Sequence, residues 1–121
     1  SLDGSLYISG HSASEYDPNE KKIVVRGGMV EQTNTALDKI ECILNAEGMS
    51  LSDATHVTEN ITTKGLDYYE EYKRVVDERL SKDINKQLFV VDSLLRPDAL
   101  VELEIRVERD LAYKENNIII I

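Results

Sequence analysis

Hydrophobic and polar positions along the chain follow two periods. Val101, Leu103, Ile105 and Val107 alternate with Glu102, Glu104, Arg106 and Glu108. A period of two puts one set on a buried sheet face and the other on a polar one. Over 29–46 the period is helical. Thr33, Ala36, Leu37, Ile40, Ile43 and Leu44 share one face, and Asn34, Asp38, Lys39, Glu41 and Asn45 take the other. Glu31 in the first turn suits the helix dipole, and Gly48 fits the position just past a helix end. A second helix is predicted over 66–80, with Leu66, Tyr69, Tyr72, Val76 and Leu80 as its apolar stripe, Val75 beside it, and Glu70 and Arg74 at supportive spacing.

The remaining apolar runs predict strands. Leu6-Tyr7-Ile8-Ser9 ends at Gly10, and Ile23-Val24-Val25 stops at Gly27-Gly28. A polar loop over 11–20, with a turn at Asp17-Pro18-Asn19, would join these two as a hairpin. Leu51-Ser52-Asp53 reads as a turn or short helical cap. The Thr-, Val- and Ile-rich stretch 54–63 reads as a strand broken by Gly65. Leu88-Phe89-Val90-Val91 is nearly continuous, which predicts a central strand. Ile118-Ile119-Ile120-Ile121 predicts a final strand or a surface packed on another subunit. The order is strand, strand, helix, strand, helix, strand, strand. It implies an α+β two-layer sandwich, with two helices on one face of a mixed sheet and the other face solvated or closed by self-association.

Composition narrows the function. The 121 residues suit one domain, taken as 1–121. With 14 Lys plus Arg against 23 Asp plus Glu, the net charge is -9. That argues against nucleic-acid partners and anionic membrane surfaces, which need a basic footprint. It leaves room for a local basic pocket that takes a small anion. One cysteine and two histidines are too few for a zinc site of the Cys/His type, and Cys42 reads as a small buried hydrophobe. No apolar run is long enough to span a bilayer and no signal peptide is visible, so a cytoplasmic location is expected. The Asn60-Ile61-Thr62 sequon reads as chance.

Several segments, in order, resemble one family. Tyr7-Ile8-Ser9-Gly10 looks like its "vyvSGQ" strand end. Gly28-Met-Val-Glu-Gln32, Ala36-Leu37, Ile40, Leu44, Gly48 and Leu51-Ser-Asp53 look like its first helix. Leu66-Asp67-Tyr-Tyr69 looks like the entry to its second helix, and Arg96-Pro-Asp-Ala-Leu-Val-Glu-Leu-Glu104 like its closing "VEIE" strand. The chain is thereby identified as a member of the reactive-intermediate deaminase (Rid, YjgF, L-PSP endoribonuclease-like) family. The resemblance implies a chorismate-mutase-like fold and a homotrimer with ligand clefts between subunits. It also implies a cofactor-free hydrolase that turns a small enamine or imine into a carbonyl product and ammonia. The alternative is a non-catalytic trimeric ligand-binding or assembly protein on the same fold.

Carried over position by position, the resemblance makes Glu102 the catalytic, water-organising carboxylate and Ser9 and Gly10 part of the binding loop. His11 stands where the family has glutamine, Phe89 where it has cysteine, and Lys73 where it has an asparagine of the second helix. Gln87 stands at the arginine that grips the substrate carboxylate. An arginine offers a charged, bidentate fork, whereas a glutamine offers a neutral amide. The lost anchoring amounts to ~1.5–3 kcal/mol. Lys73, Lys86, Arg26 and Arg96 are the cations that could compensate. His11 beside Gly10 is a candidate proton carrier near neutral pH.

Overall fold

A computed structural model of the chain describes residues 5–108. The terminal isoleucines 118–121 lie outside them. In order come strands β1 (Leu6–His11), β2 (Ser14–Asp17) and β3 (Lys22–Val25), helix α1 (Met29–Ala46) and a single 3₁₀ turn (Leu51–Asp53). Then follow β4 (His56–Thr62), the short α2 (Thr63–Leu66), α3 (Tyr69–Arg79), β5 (Asn85–Val91) and β6 (Val101–Val107). The main sheet has the order β1-β6-β4-β5, with β4 and β5 parallel and the other pairs antiparallel. Helices α1 and α3 contact each other and share a core with one face of this sheet, the two-layer α+β arrangement that the periodicities imply.

Helix α1 forms where its period says it should. Ala36, Leu37, Ile40 and Leu44 are wholly buried. Its end is a Schellman motif: Gly48 adopts φ 73°, Gly48 N–H reaches the Asn45 carbonyl at 3.0 Å, and Met49 N–H reaches the Leu44 carbonyl at 2.8 Å. Strand β6 keeps its alternation, with Val101, Leu103, Ile105 and Val107 buried under the helices. On β4 the same face carries Val57, Ile61 and one carboxylate, Glu59. Glu59 accepts a hydrogen bond from the hydroxyl of Tyr72 on α3, and both side chains are buried.

Six expectations change. β1 pairs with β6, aligning Ile8 with Ile105, rather than with β3. The loop after it contains β2, which forms the hairpin with β3; Asp17 Oδ1 accepts from the N–H groups of Asn19 and Glu20 at the turn. The second helix begins at Thr63 and breaks, so Leu66 ends the short α2 and is 43% exposed instead of starting a stripe. Thr62 Oγ1 caps α2 by accepting from Gly65 N–H at 2.9 Å, so the glycine lies inside a helical turn rather than merely ending a strand.

β5 lies at the edge of the sheet rather than its centre, with Leu88, Phe89 and Val90 each at least 40% exposed. A continuous apolar run reports that two faces want cover; it does not report that one chain supplies it. Finally, Cys42 falls on the outer face of α1 and is exposed. No helix among the described residues is long and apolar enough to cross a membrane.

Candidate functional site

The sheet face turned away from the helices carries the polar residues. Strand register sorts them into rows. Arg106, His56 and Asn85 form one, with Tyr7 opposite Arg106 on β1. Glu104, Thr58 and Gln87 form the next, and Glu102, Asn60 and Phe89 the third. Gln87 and Glu102 are thus separated by β4. Two strand spacings of ~4.8 Å and one two-residue step put their backbones ~12 Å apart.

Glu102 meets the end of β1. The β1–β6 register shifts between Ile8 and His11, an irregularity that brings Gly10 against the Glu102 side chain. A Cβ at Gly10 would sit 2.1 Å from Glu102 Oε1, so only glycine permits this approach. His11 Nδ1 donates to the Ser9 carbonyl at 2.7 Å, which makes Nε2 the acceptor of the neutral ring. Gly10, His11 and Glu102 line a small cavity of about 140 Å³ together with Ser12, Ser14, Lys39, Leu95 and Arg96. Lys39 reaches in from α1 and donates to the Ser14 carbonyl at 2.7 Å. Partial burial lowers its pKa, opposed by the charge of Glu15.

Gln87 opens instead into a neighbouring cavity of about 310 Å³, shared with Tyr7, His56, Thr58, Asn85, Glu104 and Arg106. There the Tyr7 hydroxyl donates to Glu104, and that carboxylate pushes the Tyr7 pKa up. Phe89 is half-exposed on the open face beside Asn60. Lys73 is elsewhere, in the helix layer. Its ammonium donates to Asp77 Oδ2 at 3.2 Å, while Lys86 holds the other oxygen at 3.4 Å. Lys73 has its pKa raised by that bond, and Asp77 has its own lowered.

The structure therefore gathers Gly10, His11 and Glu102, with Ser9 behind them. It sets Gln87 and Phe89 in adjacent rows, and it leaves Lys73 outside both cavities. Lys39, Ser12 and Ser14 were not legible as site residues. Lys39 sits on the polar face of an amphipathic helix, and nothing in its spacing separates a pocket lysine from a solvated one. Glu104 could have been found, because it shares the alternation of Glu102. Among the described residues no cluster of His, Cys, Asp and Glu has the makings of a metal site.

Comparison with known proteins agrees with the fold. A RutC family protein of Pyrococcus horikoshii is 32% identical over 110 residues, covering 91% of this chain and 79% of that protein. One from Pyrococcus abyssi is 28% identical over the same shares. Among solved structures, RidA from an Antarctic Psychrobacter superposes with a TM-score of 0.71 at 24% identity, covering 87% of this chain and 80% of that one. Escherichia coli TdcF with bound serine superposes with a TM-score of 0.69 at 21% identity, covering 91% and 84%. The sequence profile named Endoribonuclease L-PSP matches residues 1–109. On a match of that extent, with the mixed sheet and the two covering helices in place, the chain belongs to the Rid/YjgF/L-PSP endoribonuclease family.

Proposed function

We propose that this protein is a Rid-like hydrolase that converts a small enamine or imine to a carbonyl compound and ammonia. The observation that carries the reading is the Glu102 carboxylate, half-buried and pressed against Gly10 in a pocket that also holds His11. Once the enamine has tautomerised to the imine, water adds to the C=N carbon and the C–N bond breaks. Glu102 takes one proton from the water and passes it to the nitrogen as the carbinolamine forms. It then takes the carbinol O–H proton and passes it to the same nitrogen as the C=O forms and ammonia leaves, so the carboxylate is regenerated. His11, with Nδ1 tied to the Ser9 carbonyl, can relay a proton through Nε2. Serine bound to the similarly folded TdcF supports a small amino-acid-like ligand. The reaction needs no resident metal or cofactor, and the acidic chain suits a small cytoplasmic substrate better than RNA.

The working form we propose is a homotrimer. The exposed apolar edge strand β5 and the uncovered sheet face support self-association. Light scattering tests it; a clean monomer would remove the assembly and any cleft between subunits. The reaction is tested by keto-acid formation from enzymatically generated 2-aminoacrylate and related imines. Wild type should be active, and Glu102→Gln should lose 10²-fold or more, roughly the contribution of one general acid–base group. An inactive wild type across the panel overturns the hydrolase reading. The neutral Gln87 amide at the usual arginine position would then favour the second one, a Rid-fold protein that binds ligands without turning them over.

A further inference from the structure

The four cations that could replace the missing arginine have different fates. Arg26 is held by Asp17, with Glu20 at 3.5 Å. Lys73 and Lys86 share Asp77. Arg96 has no carboxylate within ion-pair reach among the described residues, although acidic residues outnumber basic ones in this chain. Its side chain is half-buried and lines the same cavity as Glu102, Gly10 and His11. Lys39, on another wall, likewise has no carboxylate within that reach, and among the described residues its hydrogen bonds go to Ser14.

We propose that the anion anchor of this protein is Arg96, on the loop between β5 and β6, and not position 87 on strand β5. The inference rests on the hydrolase pocket argued above and says how that pocket holds its substrate. An unpaired guanidinium in a concave, partly desolvated site presents a planar fork that matches a carboxylate. Lys39 adds positive potential from α1 while its hydrogen bonds go to the hairpin. Glu102 lies on the remaining wall, so the cavity has a cationic side for a carboxylate and an anionic side for water and nitrogen. Its volume of about 140 Å³ equals that of about five waters, which suits a 2-imino acid with a short side chain. Within one protomer Gln87 faces the separate cavity next to Glu104, and its neutral amide brings no charge to a carboxylate.

The test is pyruvate binding by titration calorimetry or NMR, with neutral pyruvamide as the control. It is run on wild type, Arg96→Gln, Arg96→Lys and Gln87→Ala. Wild type should prefer pyruvate over pyruvamide by about tenfold or more, a difference of ~1.4 kcal/mol or greater. Arg96→Gln should abolish the preference, Arg96→Lys should keep part of it, and Gln87→Ala should leave it within about twofold. Because the comparison is between two ligands on one variant, a general loosening of the fold does not imitate it. A preference that survives Arg96→Gln, or is lost in Gln87→Ala, overturns the inference, as does a wild type that does not prefer pyruvate. Turnover of 2-aminoacrylate on the same variants separates this from the hydrolase reading. Activity with an unchanged KM in Arg96→Gln sinks the anchor and leaves the reaction standing. A pyruvate preference that depends on Arg96, without turnover in wild type, sinks the reaction and leaves the anchor.

Discussion

Removing one hydroxyl, by Tyr72→Phe, should make the stability of this protein depend on pH more steeply than it does now. Tyr72 and Glu59 are 1% and 4% exposed, and the phenol is the hydrogen-bond donor recorded on that carboxylate. Burial raises the Glu59 pKa above the ordinary carboxylate value, while the Tyr72 hydroxyl and the charge of Lys86 pull it down and Asp77 pushes it up. A carboxyl whose folded pKa lies above its unfolded one stabilises the fold fully below the unfolded value, near 4.3, and that stability is lost as the pH rises through the folded pKa. Without the phenol the folded pKa moves higher still. At low pH, with Glu59 neutral, the variant should lose one ordinary hydrogen bond, about 0.5–1.5 kcal/mol. At pH 8 it must bury a carboxylate without that donor, at about 1.5–3 kcal/mol or the cost of protonating it. Urea denaturation at pH 4 and pH 8, at one fixed protein concentration, reads the difference. A deficit that is equal at the two pH values, or larger at pH 4, refutes the reasoning. Glu59→Gln should remove the pH dependence of the deficit.

Two glycines give further tests. Gly10→Ala puts a methyl group where Glu102 Oε1 now lies, and the carboxylate, at the end of a flexible side chain, must swing away. Keto-acid formation should fall by about tenfold or more while circular dichroism stays unchanged; full activity would show that Glu102 need not sit there. Gly65→Ala should act on stability. The added Cβ would lie 2.7 Å from the Leu100 carbonyl, which belongs to rigid backbone, so a loss of about 1–3 kcal/mol is expected in urea denaturation, with activity per folded molecule retained.

The sequence by itself determined the elements whose cause is local. α1 follows from a 3.6-residue stripe and the left-handed Gly48, and β6 from a strict alternation that its burial repeats. That alternation also put Glu102 on the polar face, and the resemblance implied that it and Ser9-Gly10 belong to one ligand cleft. Tertiary structure alone decided the pairings. Nothing local in Leu6-Tyr7-Ile8 chooses β6 over β3, because hydrogen bonds between strands are alike everywhere and the choice is made by which residues the whole core can bury. The position of β5 was hidden for a related reason, since its apolar run records a need for cover without naming the surface that provides it. The pocket depended most on the fold. Lys39, Arg96 and Glu102 come from a helix, a loop and a strand, and nothing in their spacing along the chain shows that packing brings them around one cavity. Charge and patterning are properties of a stretch of chain. Electrostatic complementarity is a property of distances between stretches, and only the folded chain sets those.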